Sequence, residues 1–151
     1  MYSKQQASQV RQEFWTAFGK YMQPILSSEG EKINWINYKT GAKHIYFRMD
    51  AAKGASIAIE ITHTDAQLQN EYFQRFLQLR SLFNEIISEE WNWETNVQDE
   101  NGRSVSRIST QINNVNVFNK ADWPTLISFF KPRIIALDEF WNEVKHGFDV
   151  W

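Results

Sequence analysis

Apolar and polar residues alternate strictly in two neighbouring segments, 44–50 and 56–62. The apolar positions in these segments are Ile45, Phe47, Met49, Ile57, Ile59 and Ile61. Because successive side chains of a strand point to opposite faces, the alternation predicts two strands with one apolar and one polar face. The connection 51–55 is short enough to make them a hairpin. The apolar side of such a hairpin must be covered by other elements.

Three helices are predicted to supply that cover. They span residues 4–21, residues 66–87 and the region from Asp122 to the end of the chain, where apolar residues recur every three to four positions. Ser3 and Gln6 have the spacing of a capping box at the start of the first helix. Pro132 interrupts the last apolar run, so we expect a kink or two abutting helices there.

Further strands are predicted on both sides of the second helix. Residues 32–38 have the aromatic and β-branched character of a strand, and residues 91–98 begin a second hairpin that turns at Asn101-Gly102. In its return strand, Val105 and Ile108 lie at positions of opposite parity, which predicts a β-bulge or an irregular start of the strand. The resulting αβββαββα order predicts an α+β fold with a mainly antiparallel sheet packed on helices, in one domain over residues 1–151.

Composition narrows the possible functions. The chain has no cysteine, which excludes disulfides and thiolate chemistry, and its net charge of −2 argues against binding to nucleic acid by charge alone. It has neither an N-terminal apolar leader nor an apolar run long enough to span a bilayer, so we expect a cytoplasmic protein without membrane contact. The three histidines lack metal-ligand spacing, and no serine-hydrolase or phosphate-loop motif is present.

Asp50 and Glu60 are the candidate catalytic residues. A helix, three strands and a second helix also open the PD-(D/E)XK nuclease core, in which an Asp and a Glu-x-Lys on adjacent strands hold Mg²⁺. Glu13 on the first helix is a possible third carboxylate, but Thr62 stands where that core has its lysine. Hairpin register moreover separates Asp50 from Glu60 and predicts an ion pair between Glu60 and Arg48.

A basic and aromatic segment, residues 32–53, is the candidate binding surface. Cations beside exposed rings are typical of single-strand nucleic-acid platforms, although lysines on a solvated sheet edge give the same pattern. The residues predicted to make the contacts are Trp35, Tyr38, Lys39, Lys43 and Arg48. The sequence thus favours a non-catalytic module that binds nucleic acid or a protein partner without a cofactor. A Mg²⁺-dependent nuclease is the alternative. Two interpretations of Phe148 and Trp151 remain, packing back onto the domain or packing onto a second subunit of a homodimer.

Several phrases of the chain resemble the bacterial domain of unknown function family 4268. They are EFWTAF at 13–18, INWINYKTG at 33–41, IYFRMDA at 45–51 and EEWNW at 89–93, with Trp123 and KPR at 131–133 extending the resemblance. The resemblance implies a small bacterial cytosolic protein. In longer relatives a similar domain looks to be joined to nuclease-like regions, which implies a DNA-related or defence context for them. It implies no functional residue.

Overall fold

Four helices and a four-stranded antiparallel sheet make up the mixed α+β fold, in a computed structural model that describes residues 3–148. The elements are α1 Lys4–Met22, β1 Ile45–Asp50, β2 Ala55–Ile61, α2 Ala66–Gln78, α3 Arg80–Ile87, β3 Asn92–Gln98, β4 Ser104–Ile112 and α4 Trp123–Val144. The predicted fold class is confirmed. So is the capping box of Ser3 and Gln6, in which each side chain bonds the other residue's backbone N–H.

The sheet has the strand order β1-β2-β4-β3, and its first hairpin has the predicted register. Asp50 lies opposite Ser56, and Tyr46 lies opposite Glu60. The second hairpin contains a bulge, but on β3 and not on the return strand. Three residue steps from Glu94 to Val97 match two steps on β4. The extra residue is accommodated by Asn96 at φ 54°, a conformation that asparagine tolerates better than most residues.

The strand predicted at 32–38 is wrong, because residues 23–44 form one long irregular segment. Asn34 explains the local part of the difference. Its side-chain oxygen accepts hydrogen bonds from the backbone N–H groups of Ile36 and Asn37, which turns the chain where a strand would continue. Trp35 is nonetheless buried, because the segment folds inward and its indole N–H donates to the carbonyl of Ile25.

The second predicted helix is divided in two at Leu79, whose N–H bonds back to the carbonyl of Phe76. The last helix is a single element: α4 runs continuously through Pro132, so the expected pair of abutting helices is wrong and the kink stays a prediction. No helix within residues 3–148 has the length and apolar character needed to cross a membrane.

The core lies between the apolar face of the sheet and the helices. Trp141 of α4 is 1% exposed and packs against Phe47 of β1 and Phe76 of α2. Phe148 is equally buried, with its ring stacked on that of Phe76 at 4.5 Å, whereas Trp151 lies outside the described residues. Each such aromatic side chain contributes about 1.5–3 kcal/mol through burial. The opposite, polar face of the sheet forms the floor of the candidate site.

Candidate functional site

A cleft of about 820 Å³ lies on the polar face of the sheet and is called here the outer-face cleft. Its lining residues are Arg48, Asp50, Ser56, Ala58, Glu60, Asn92, Trp93, Glu94, Gln98, Asp99, Glu100, Arg107, Ser109 and Gln111. Antiparallel pairing forms the floor, because residues that face one another across the strands point to the same side. One such row runs from Glu60 through Arg107 to Glu94.

Glu60 is the central charged group of this floor. It is 7% exposed, and each of its carboxylate oxygens accepts from a different guanidinium: Oε1 from Arg48 Nε at 2.8 Å, and Oε2 from Arg107 Nε at 2.9 Å. The predicted ion pair with Arg48 is therefore confirmed. Arg48 also lies over the ring of Tyr46, 4.7 Å from its centroid. These contacts compensate for the burial of a carboxylate, which is otherwise costly.

Asp50 lies at the far end of β1 and has different partners. Its Oδ1 accepts from the N–H of Ala52 at 2.6 Å. Its carboxylate also contacts Glu100, from the turn between β3 and β4, and the pKa of Glu100 is raised by the hydrogen bond to Asp50 and by the negative charge there. The turn of the second hairpin therefore lies over the outer face of the sheet and closes one side of the cleft.

The structure does not bring the three candidate nuclease carboxylates together. Asp50 and Glu60 line the same cleft, but Glu60 is held between two arginines and Asp50 is held at the hairpin end. Glu13 is on α1, outside the cleft lining, with Lys120 3.9 Å away. Thr62 donates to the carbonyl of His44 at the open end of the hairpin, opposite the loop end where Asp50 lies. Within residues 3–148, no group of three His, Asp or Glu side chains is arranged to hold a metal ion.

The predicted binding residues are also divided between two sides of the sheet. Trp35 is 2% exposed and belongs to the core, so it cannot stack on a base. Tyr38 stacks on Phe47, on the apolar face, with ring centroids 4.8 Å apart, whereas Arg48 points into the outer-face cleft. Lys39 and Lys43 are exposed on the irregular segment. The five residues do not form the single surface of cations and rings that the sequence suggested.

A second cavity, of about 570 Å³, lies between the irregular segment and the end of α4, and is called here the loop pocket. Its lining residues are Ser27, Glu29, Glu31, Ile33, Asn34, Asn37, Tyr38, Lys39, Thr40, Gly41, Asp138, Trp141, Asn142 and Lys145. Two of the predicted binding residues, Tyr38 and Lys39, are among them. This pocket is on the helix side of the sheet, opposite the outer-face cleft.

Asp138 organises the loop pocket. It is 1% exposed, and it accepts from the N–H of Ser28 at 2.7 Å, from the hydroxyl of Tyr38 at 2.5 Å and from Asn142 Nδ2 at 3.2 Å. Burial of Tyr38, together with its hydrogen bond to the Asp138 carboxylate, raises the pKa of the phenol far above its usual range. Tyr38 is therefore a neutral donor at all ordinary pH values.

Sequence reasoning missed Arg107, Glu100 and Asp138. The first two lie on or beside β4, and only the β2–β4 pairing brings them to Glu60 and Asp50. For Asp138 the sequence did contain a signal, its position relative to the apolar residues of the last helix. Asp138 directly follows Leu137 and lies about one helical turn before Trp141, which places a carboxylate at the border of the buried stripe of α4.

Comparison with protein families identifies a match over most of the chain. The pattern of a domain of unknown function, DUF4268, matches residues 10–145 of the 151-residue chain. No curated protein and no solved structure matches the chain. Since the match extends over most of the chain, including the outer-face cleft and the loop pocket, the chain belongs to the DUF4268 family.

Proposed function

We propose that the protein is a non-catalytic binding module whose outer-face cleft takes a basic segment of a protein partner. The charge of the cleft carries this proposal. Its lining holds five carboxylates, those of Asp50, Glu60, Glu94, Asp99 and Glu100, against the two guanidiniums of Arg48 and Arg107. Both guanidiniums bond the same carboxylate, Glu60, and Asp99 is paired with Arg103. Asp50, Glu94 and Glu100 are therefore the acids of the lining that form no ion pair within residues 3–148, and they make the potential inside the cleft negative.

A basic peptide suits this cleft better than a nucleic acid does. Nucleic-acid binding depends on cations that neutralise phosphates, and both cations of the cleft are bonded to the Glu60 carboxylate and have further acids around them. Lys39 and Lys43 lie outside its lining. Lysine and arginine side chains, by contrast, find carboxylates together with hydrogen-bonding groups from Asn92, Ser109 and Gln111. A volume of about 820 Å³ is in the range of pockets that enclose a small ligand or a few side chains.

The magnesium-dependent nuclease is less well supported by the geometry. A shared divalent ion needs carboxylate oxygens from both acids at about 2.0–2.6 Å. Glu60 would have to leave both Arg48 and Arg107 to provide one, and Asp50 lies four strand positions along the hairpin from the residue opposite Glu60. Binding without catalysis requires no such rearrangement.

The test is a titration of the full chain with fluorescently labelled hexa-arginine and hexalysine peptides, followed by anisotropy. We expect binding that weakens as salt rises, because the attraction is between charges. Asp50→Asn and Glu94→Gln should each weaken the affinity about three- to ten-fold, which corresponds to about 0.7–1.4 kcal/mol. Glu139→Gln is the matched control, since it removes the same charge from an exposed position of α4 outside the cleft.

Two results would contradict the proposal. Equal weakening by Glu139→Gln would mean that the peptides respond only to overall charge. Binding of single- or double-stranded oligonucleotides that is lost in Lys39→Ala would instead assign the protein to nucleic acid. The nuclease alternative requires Mg²⁺-dependent DNA cleavage that Asp50→Asn and Glu60→Gln each abolish, and we expect no cleavage by the unmodified protein.

A further inference from the structure

We propose that the loop pocket is a separate site for a small zwitterion of the amino-acid type. In this site Lys39 holds the carboxylate of the ligand, and Glu31 together with Asp138 holds its ammonium group. The proposal does not depend on the outer-face cleft, which lies on the other side of the sheet.

The wall of the pocket is an unusual piece of chain. Residues 23–44 form an irregular connection much longer than the few residues that ordinarily link two elements, and ordered loops of this length are usually functional. The segment is fixed by side chains of α4. Asp138 bonds Ser28 and Tyr38, and the indole N–H of Trp141 donates to the carbonyl of Thr40 at 2.7 Å. A fixed wall gives a pocket that is formed before a ligand enters, which lowers the entropic cost of binding.

Asp138 gives the pocket a buried negative charge that the protein does not neutralise. Its three hydrogen-bond donors are a backbone N–H, a phenol and an amide, all uncharged. No lysine or arginine in the described part of the chain forms an ion pair with it. Among the described residues its Oδ2 accepts from Ser28 alone, whereas a carboxylate oxygen can accept two hydrogen bonds. A ligand ammonium, with three donors, fits this remaining capacity.

The other charges of the lining match the two ends of a zwitterion. Glu29 and Lys145 form an ion pair at 3.0 Å and neutralise each other. That leaves Lys39 and Glu31, neither of which forms an ion pair with another residue in 3–148. One cation and one anion at the rim, above a buried carboxylate, attract a molecule that carries both signs. Ile33, which is half-buried, provides apolar surface for its side chain.

The probes are the standard amino acids, each tested at millimolar concentration for its effect on the melting temperature of the full chain. We expect at least one of them to raise the melting temperature. Calorimetry then compares that amino acid with its decarboxylated amine and with its N-acetylated form. Each derivative lacks one of the two charges, so both should bind at least ten-fold more weakly.

Variants at exposed positions test the assignment without disturbing the core. Lys39→Ala and Glu31→Gln should each weaken binding about ten-fold and leave the melting temperature of the free protein unchanged. Lys53→Ala removes an exposed lysine outside the loop pocket and should bind like the unmodified protein. Asp50→Asn, in the outer-face cleft, should also leave this binding unchanged, which separates the two sites.

Three outcomes would overturn the proposal. In the first, no amino acid raises the melting temperature. In the second, the amine or the N-acetylated form binds as tightly as the free amino acid, so that recognition does not use both charges. In the third, Lys39→Ala and Glu31→Gln bind as the unmodified protein does, so that the ligand sits elsewhere.

Discussion

Replacing Asp138 with alanine should release the irregular segment 23–44 from α4. The carboxylate is the point at which Ser28 and Tyr38 of that segment meet Asn142 of the helix. Ser28 is exposed and its N–H can turn to water, and Asn142 keeps a second bond, to Ser28 Oγ at 2.6 Å. The hydroxyl of Tyr38, within the pocket, therefore suffers most from the substitution, because it loses a charge-assisted bond and has no other partner among the hydrogen bonds of the described residues.

The size of the effect follows from these contacts. A hydrogen bond to a charged group contributes about 1.5–3 kcal/mol, and the backbone bond from Ser28 adds about 1 kcal/mol. Removing a buried carboxylate also recovers part of its desolvation cost, which reduces the loss. We therefore expect Asp138→Ala to lower the free energy of unfolding by about 2–4 kcal/mol. Tyr38→Phe, which removes only the hydroxyl, should cost about 1.5–3 kcal/mol.

Urea denaturation of the two single variants and the double variant measures the coupling directly. If Tyr38 and Asp138 stabilise the protein through their mutual bond, the loss of unfolding free energy in the double variant should be at least about 1 kcal/mol smaller than the sum of the losses in the two single variants. Tyr21→Phe is the control, because this half-exposed tyrosine has no hydrogen bond within the described residues and keeps its ring contact with Lys131. Two results would refute the reasoning: additive effects of the two substitutions on the free energy of unfolding, or a loss of less than about 1 kcal/mol in Asp138→Ala.

Three further substitutions test other parts of the structure. Gly54→Ala should lower the free energy of unfolding, measured by thermal denaturation, by about 3 kcal/mol or more, because φ is +63° and the new Cβ would lie 2.2 Å from the carbonyl oxygen of Ile112. Gly102→Ala is the control: φ is +75° there but no atom is near, so the loss should be only about 1 kcal/mol. Glu100→Gln should stabilise the protein at neutral pH, because the pKa of Glu100 is raised by its hydrogen bond to Asp50 and the unmodified protein loses stability as pH rises and Glu100 ionises. The variant should lose that advantage below about pH 4, and melting temperatures across pH measure this. Burial first, and then the nearby His44, lower the pKa of His63, so the protein loses stability as pH falls from about 6.5 through that lowered pKa. His44→Asn, which suits the φ of +67° there, should raise the pKa of His63 in an NMR titration.

The first hairpin could be predicted to the residue because two local signals agree. Strict alternation determines which side chains share a face, and a short connection determines which residues lie opposite one another. Together they predict that Glu60 faces Tyr46 and meets Arg48 on the diagonal, as the structure confirms. Nothing beyond residues 44–62 is needed for that prediction.

The remainder of the candidate site depends on contacts that local patterns do not encode. Arg107 reaches Glu60 only because β4 and not β3 pairs with β2, and strand order is a property of the whole fold. The strand prediction for residues 32–38 was wrong for a related reason. Trp35 and its apolar neighbours read as a strand, but Trp35 is part of the core, and Ile33 and Ile36 pack against that core from a loop whose turn is set by the single side chain of Asn34.

The division of the predicted binding residues follows from the same alternation that predicts the hairpin. Phe47 and Arg48 are consecutive in β1, so their side chains point to opposite faces of the sheet. Tyr38 stacks on Phe47 and thereby belongs to the helix side, where it meets Asp138. Arg48 belongs to the other side, where it meets Glu60. One small ligand cannot contact both, because the sheet itself lies between them. If the protein has two ligands, substitutions in the two cavities should therefore act independently, and coupling between them would require a change in the sheet that the present structure gives no reason to expect.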